Sequence, residues 1–566
     1  MKPTQPSKPW ILSLNDPFRR FFSGLYSFAF CFAVSICLLL AAGLFISAFL
    51  CTSYSEDMET QKALTRWDNP FVNLLGLFLF LILFGLITRQ ICKKPKKYKK
   101  LLLLSVLGIS GLSGFALILF GRTMPAADAM SVFSIAESFA LGDTSAIHPT
   151  ESYLSYYPQQ IGLVAFYEPV IRIWKLFFQD LAAYHFIKCI YVGLMWLIIL
   201  FQYRTVQLLW HSDRADCLYL LLAGTNLPLI FYSSFVYSEI PSFAALTMGL
   251  YFLLKLFQGL KTAALPRRKS LCQAFVSLFC LTLAVLLRKN SLILIIAVVL
   301  VTVLEWFRLL ATQKKPDFVK SVLLPAFALL CILCSVGILP LVQRLYELRA
   351  HNTLSSGVTA TSYFAMGMQE ASRGNGWYNG FNFYTYQDTG MDTRRTNEIA
   401  RQAIQERINY FKEHPGYAAR FYLYKYLSQW TDGTYACRQA TLAQAGGRSV
   451  FITSVYQGRG SQYVIGWCNA YQNVLYLGVL LFLLKKLREM RTYRRSLDAG
   501  RPVMRLYCLI GLIGVLGGFF FHMLWEANSR YIFLYGLLLM PYGAAGLSLL
   551  SERIQKEKHH DSSAQA

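Results

Sequence analysis

The sequence predicts an all-α polytopic membrane protein with about twelve transmembrane helices, juxtamembrane helices at the outer surface and a mainly helical extracytoplasmic cap. Three observations lead there. Of 566 residues, 55% are hydrophobic and 15% charged, a balance too apolar for a soluble globule of ordinary makeup. The apolar residues fall in runs of about 20, the length a helix needs to cross a bilayer core. The basic residues, 55 Lys and Arg against 30 Asp and Glu for a net charge of +25, gather in short loops between those runs, as cytoplasmic loops do. That placement argues against nucleic acid as a partner, because the charge orients helices instead of forming one basic face.

Arg19 and Arg20 precede an apolar stretch at 25–49 that is longer than a signal peptide's core and lacks a small-x-small cleavage site, so it reads as an uncleaved first span. Spans are expected near 23–51, 71–91, 101–121, 183–207, 216–234, 240–258, 271–288, 291–307, 321–344, 463–485, 504–524 and 531–550. With the amino terminus inside, the basic loops 89–100, 255–269, 308–320 and 485–505 and the tail from Arg553 to Lys558 all become cytoplasmic. The loop 52–70, with Glu56, Asp57, Glu59 and Asp68, faces outward. This parity requires that 158–178 does not span. Glu168, Pro169, Arg172 and Lys175 place it instead as an amphipathic helix on the outer surface.

The expected organisation is three spans in 1–120, an outer loop with juxtamembrane helices at 121–182, a transmembrane core at 183–345, a cap at 346–461, three spans in 462–552 and a cytoplasmic tail at 553–566. Both termini are then cytoplasmic and the long loops extracytoplasmic. Cysteine adds no framework: the large insertion holds only Cys437, and Cys331 and Cys334 sit inside an apolar run as small buried residues. No His, Asp or Glu set has metal spacing, so no metal site is expected, although a divalent cation bridging phosphates is compatible with the chemistry below.

Asp128 is the leading candidate for chemistry. It opens a helix just behind the third span, where a carboxylate can take the proton of an acceptor hydroxyl; the competing role is a helix cap. Thirty residues on, Tyr156-Tyr157-Pro158 heads the surface helix, and both tyrosines suit either a sugar face or an interfacial belt. Arg288, Lys289 and Arg530 are cations on the outer side, against the charge rule, which points to a phosphate. Arg530 also has Glu526 at i,i+4 spacing. Glu239 stands at an outer helix mouth as a second candidate acid. Trp377, in a glycine-aromatic cluster of the insertion, suits a sugar ring.

The order of these features resembles the GT-C superfamily of polyprenyl-phosphate-sugar-dependent glycosyltransferases. Its bacterial branch near the protein O-mannosyltransferase and aminoarabinose transferase families is the more similar. The resemblance rests on Asp128 after a span, Ala136-x-x-x-Ala140-x-Gly142, Tyr157-Pro158, the run from Asn226 through Pro228 and Tyr232 to Tyr237 and Glu239, Arg288-Lys289, and Glu526-x-x-x-Arg530-Tyr531. It implies a membrane enzyme that moves a sugar from a polyprenyl-phosphate donor to a hydroxyl with inversion. Asp128 and Glu239 would be catalytic, Arg288, Lys289 and Arg530 would hold the donor phosphate, and Tyr156, Tyr157, Trp377, Glu526 and Tyr531 would contact substrate. The partners implied are the lipid-linked sugar, membrane lipids and a glycan, lipid or wall-polymer acceptor. Ala127 and Ala129 flank Asp128 where the protein mannosyltransferases carry an Asp-Glu pair, which leaves the acceptor open. A transporter or flippase of a lipid-linked glycan, or a surface-polysaccharide polymerase or ligase, are the alternatives; polar residues gathered at one face favour an enzyme working there.

Overall fold

The computed structural model describes residues 16–55, 61–179, 181–260, 266–312, 318–442, 449–495 and 505–564. Glu56, Asp57 and Glu59 of the first outer loop, parts of the basic loops at 261–265, 313–317 and 496–504, and the side chains from Arg553 to Lys558 lie outside what is described.

Among the described residues, eleven helices are long and apolar enough to cross a membrane: Pro17–Leu50, Pro70–Ile91, Pro95–Gly121, Tyr184–Trp210, Glu239–Gly259, Arg268–Leu287, Lys289–Ala311, Ser321–Ala350, Arg459–Arg491, Leu506–Leu524 and Ser529–Leu550. The span expected at 216–234 is corrected to two short helices, Asp213–Gly224 and Leu227–Tyr232. The break follows from local chemistry. The Thr225 hydroxyl donates back to the Leu221 carbonyl (2.8 Å), the Asn226 side chain accepts the Leu229 amide (3.1 Å), and Pro228 has no amide to give the helix ladder.

The broken segment still runs along Pro95–Gly121 from Lys99 to Gly114. At one end Lys99 pairs with Asp213 (2.5 Å) and Asp216 (2.7 Å), in the middle Val106 packs on Gly224, and at the other end Gly114 lies against Ser233. The chain therefore advances along that helix here despite the break. Two helices near the carboxyl terminus cross with their backbones in contact at Gly478, Gly543 and Gly546. A Cβ on Gly546 would stand 1.7 Å from the Gly478 carbonyl oxygen, so only the bare backbone fits.

The segment expected at the surface is a 3₁₀ turn, Pro158–Gln160, followed by the helix Ile161–Phe177, which packs on Ala127–Ala140 and Phe318–Ala350. Its Glu168 accepts from Arg349 (2.6 Å), Tyr346 (2.6 Å) and Arg172 (2.9 Å). Burial alone would raise this carboxyl; the three donors hold it below the ordinary range.

Between Ala350 and Arg459 the chain builds a mainly helical cap: Ala360–Gly367, Phe381–Asp388, Thr393–Glu413, Pro415–Trp430, Cys437–Leu442 and Val450–Gln457. Met368, Phe411 and Phe421 form a small core of its own. One element has no counterpart in the sequence-based expectation: Cys51–Tyr54 and Leu64–Trp67 pair as an antiparallel hairpin. The hairpin joins the cap through the Ser53 amide to the Thr431 carbonyl (3.2 Å), the Ala63 amide to the Arg373 carbonyl (2.8 Å) and Arg438 Nη2 to the Ser55 carbonyl (2.6 Å).

The glycine crossing makes a contrast that a melting experiment in detergent can read. Gly546→Ala forces the two helices apart and lowers the melting temperature or prevents recovery of monodisperse protein. Gly85→Ala, in a helix where an added Cβ meets nothing within 4 Å, leaves stability unchanged or raises it by up to about 1 kcal/mol through helix propensity.

Candidate functional site

A cavity of about 740 Å³ opens where the cap meets the ends of the membrane helices. Asp128 lies in its wall, in the first turn of the helix Ala127–Ala140, and is exposed to it. The buried stripe of that helix is Ala129, Val132, Phe133, Ala136 and Phe139, so Asp128 stands one step off the stripe and its carboxylate faces the cavity. It is not the helix cap: Ala126 occupies that position, with no side-chain cap bond. The approach is strained, with Arg122 at φ 46° and Ala127 at φ 48°, a left-handed conformation unusual for residues bearing a Cβ.

Both ends of this stretch are pinned by cations, one buried and two exposed. Lys188, fully buried, donates to the Thr123 carbonyl and to its hydroxyl (3.0 Å). At the far end Arg172 (2.8 Å) and Arg349 (2.9 Å) both donate to the Phe139 carbonyl, where a helix's negative end favours positive charge.

Two helix ends supply the cations and a third supplies their shared anion. Arg288 Nη1 donates to Glu239 Oε1 at 2.6 Å and to the Ser238 hydroxyl at 3.0 Å, and Arg530 Nε lies 3.7 Å from the same Glu239 oxygen. Glu239 is fully buried behind them, and its other oxygen has no partner. Tyr531 lies under both guanidiniums, 5.8 Å from Arg288 and 5.5 Å from Arg530, and Tyr237 lies 5.4 Å from Arg530. Lys289 is exposed and, among the described residues, makes no ion pair.

The remaining wall comes from the cap and the loop before the last helix. Glu526 accepts from the Tyr531 hydroxyl at 3.3 Å. Burial pushes its carboxyl up to about 7, helped by the negative charge of Asp128 and opposed by Arg530. The Tyr153 hydroxyl, buried beside Tyr237 and Asp128, is raised well above 10 and so stays protonated. Trp377 is buried with its indole N–H on the Ser428 hydroxyl (3.0 Å), and still lines the cavity. The loop is tied to the cap: Lys425 donates to the Gly367 carbonyl (2.5 Å) and the Trp525 carbonyl (2.8 Å), and the Ala527 amide donates to the Gly376 carbonyl (2.7 Å). Burial lowers the Lys425 ammonium to about 7.

The structure thus brings Asp128, Tyr157, Arg288, Lys289, Trp377, Glu526, Arg530 and Tyr531 to one cavity. Glu239 sits behind the wall as the shared counter-charge. Tyr156 is elsewhere, stacked on Phe383 at 4.6 Å and edge-on to Tyr386 within the cap. Glu526 does not pair with Arg530 as their spacing suggested; Arg530 turns to Glu239 instead. Sequence reasoning missed Tyr153, Gln160, Arg373 and Asn382 in the lining. Gln160 follows the Tyr-Pro and donates to the Tyr237 hydroxyl at 2.6 Å, a pairing that no local pattern announces. Among the described residues no three His, Cys, Asp or Glu side chains converge, so no metal ligands are assigned.

No family model matches the sequence, and no curated protein matches it. Among solved structures the chain is similar to the oligosaccharyltransferase AglB from Archaeoglobus fulgidus, in complex with an inhibitory peptide and a dolichol-phosphate. The identity is 14% and the TM-score 0.40, covering 82% of this chain and 52% of that one. It is also similar to ArnT from Cupriavidus metallidurans bound to undecaprenyl phosphate, at 12% identity and a TM-score of 0.29, covering 79% of this chain and 78% of that one. The chain spans about half the length of the archaeal structure it matches.

The raised Glu526 carboxyl has a thermodynamic signature. Its folded value of about 7 lies above the ordinary 4.5, so the folded state loses stability as pH rises from about 4.5 to about 7, by roughly 3 kcal/mol, and the loss levels off above. In detergent, the melting temperature of the wild type falls over that window. Glu526→Gln removes this fall, and an undiminished fall in the variant assigns the titration to another group.

Proposed function

We propose that the protein is a membrane glycosyltransferase: it moves a sugar from a polyprenyl-phosphate donor to an acceptor hydroxyl on the extracytoplasmic face. The observation that carries the reading is the meeting of an exposed carboxylate, Asp128, with the cations Arg288, Arg530 and Lys289 in one cavity at the junction of cap and membrane helices. The described basic residues of the loop 89–100 lie at helix ends away from the cavity, which under the charge rule supports reading the cavity side as the outer one.

The chemistry asks for two things, and each has a group. The acceptor hydroxyl must lose its proton as its oxygen attacks the anomeric carbon, and Asp128 accepts that proton. The bond from the anomeric carbon to the phosphate oxygen breaks, and the departing polyprenyl phosphate carries away the electron pair and added negative charge. Arg288 and Arg530 offer planar guanidiniums to that charge, with Lys289 as a mobile third cation. Attack from the face opposite the leaving group inverts the sugar. Glu239 touches no substrate in this scheme; it positions the two guanidiniums. Glu526, neutral for part of the time near neutral pH, adds a hydroxyl donor beside Asp128. Trp377 and Tyr157 give the sugar ring flat apolar faces.

Two variants separate chemistry from binding. Asp128→Asn loses sugar transfer by about 100-fold or more, the share a positioned general base supplies, while undecaprenyl phosphate binding in detergent is retained. Arg530→Gln weakens that binding by about tenfold or more, as expected for a charge-assisted contact. Mass analysis of surface glycans and lipids from cells with wild type or Asp128→Asn protein reads the transfer; identical profiles overturn the assignment of Asp128.

A further inference from the structure

The membrane-side wall of the cavity already has cations for a donor. A sugar joined to a lipid through one phosphodiester brings one negative charge, and Arg288, Lys289 and Arg530 face it; among the described residues Glu239 is the only carboxylate in an ion pair with the two arginines. Arg373 stands apart, on the cap loop. Its guanidinium lies 6.0 Å from the centre of the Tyr378 ring and, among the described residues, makes no ion pair and no side-chain hydrogen bond.

The loop that carries Arg373 is nevertheless rigidly built. The Arg373 carbonyl accepts the Ala63 amide (2.8 Å), the Gly376 amide donates to the Gln369 carbonyl (2.7 Å), and the Asn375 side chain donates to the Phe421 carbonyl (3.2 Å). An arginine on so fixed a backbone, which acts on Glu526 from a distance but, among the described residues, has no carboxylate within ion-pair reach, keeps its planar donors open to an anion from outside. A second group in the same lining lacks a partner. Asn382 is 1% exposed, and its amide oxygen accepts no hydrogen bond. A buried acceptor left empty costs free energy that a ligand hydroxyl would recover.

We propose that Arg373 and Asn382 form the acceptor subsite, and that the acceptor is a hydroxyl compound bearing a phosphate or carboxylate group. Arg373 grips the anion, the Asn382 oxygen accepts one ligand hydroxyl, and a further hydroxyl is presented to Asp128. Naming this ligand the acceptor rests on the glycosyl-transfer reading; binding of the anion does not.

The test therefore reads binding alone, with the full-length protein. Undecaprenyl phosphate is first added to saturation so that the membrane-side cations are occupied, and an unloaded sample is run in parallel. Two arms distinguish the source of the anion: soluble glycerol 3-phosphate is titrated by calorimetry, and phosphatidylglycerol is presented in phosphatidylcholine nanodiscs. Wild-type protein binds in at least one arm; Arg373→Gln weakens that binding by about tenfold or more, whereas Arg530→Gln keeps it. Arg373→Lys retains the charge but not the planar fork and falls between; it also serves if the Gln variant does not fold. Equal affinity in wild type and both Arg373 variants, or no binding in either arm, overturns the proposal. Failure of undecaprenyl phosphate to bind would instead count against the donor assignment, and the unloaded titration would still read Arg373.

Discussion

Glu239 is fully buried, and its charge is answered by two guanidiniums from two other helix ends, Arg288 at 2.6 Å and Arg530 at 3.7 Å. Removing a carboxylate from water costs on the order of several kcal/mol, recovered only if its counter-charges stay in place. The pairing therefore dictates where three segments end: the start of Glu239–Gly259, the turn between two spans at Arg288, and the first turn of the last helix at Arg530. Two cations share one anion, so the cluster keeps net positive charge toward the cavity. The guanidiniums are held without being neutralised, and the aromatic rings of Tyr531 and Tyr237 fill the space around them.

Much of the architecture was legible because membrane crossing leaves a coarse signature. Runs of apolar residues gave eleven of the twelve expected spans, and the polar residues in 158–178 set apart the helix Ile161–Phe177, which is not among the candidate spans. The break at Asn226 was harder to read, since the run from 216 to 234 is apolar enough on average, and only the side-chain cap of Asn226 and the missing amide of Pro228 split it. The hairpin at Cys51–Tyr54 escaped notice because its strands are four residues each and owe their pairing to the cap. At the site, out-of-place charge singled out Arg288, Lys289 and Arg530. Arg373 and Asn382 carried no such mark, because in a polar insertion another Arg and another Asn look ordinary. Tyr156 and Tyr157 show the limit of adjacency: neighbouring side chains point apart, and one faces the cavity while the other enters the cap.

The seam between cap and membrane helices is electrostatically unusual. Burial brings the Lys425 ammonium down to about 7 and the Glu526 carboxyl up to about 7, so near neutral pH neither group at this seam holds a single protonation state. Lys425 spans the Gly367 and Trp525 carbonyls whichever proton count it carries. The shape of the cavity therefore depends on contacts that survive a change of charge, while its field does not.

The strands of the hairpin, near the beginning of the chain, and Arg530, near its end, are parts of one cavity rim. A ribosome that has released everything up to Leu524 has delivered Asp128, Glu239 and Arg288, but Glu239 then faces one guanidinium where the finished protein has two. The cap likewise lacks the Ala527 amide that holds Gly376. A product that stops before Arg530 lacks the assembled pocket and leaves a buried acid short of its second counter-charge.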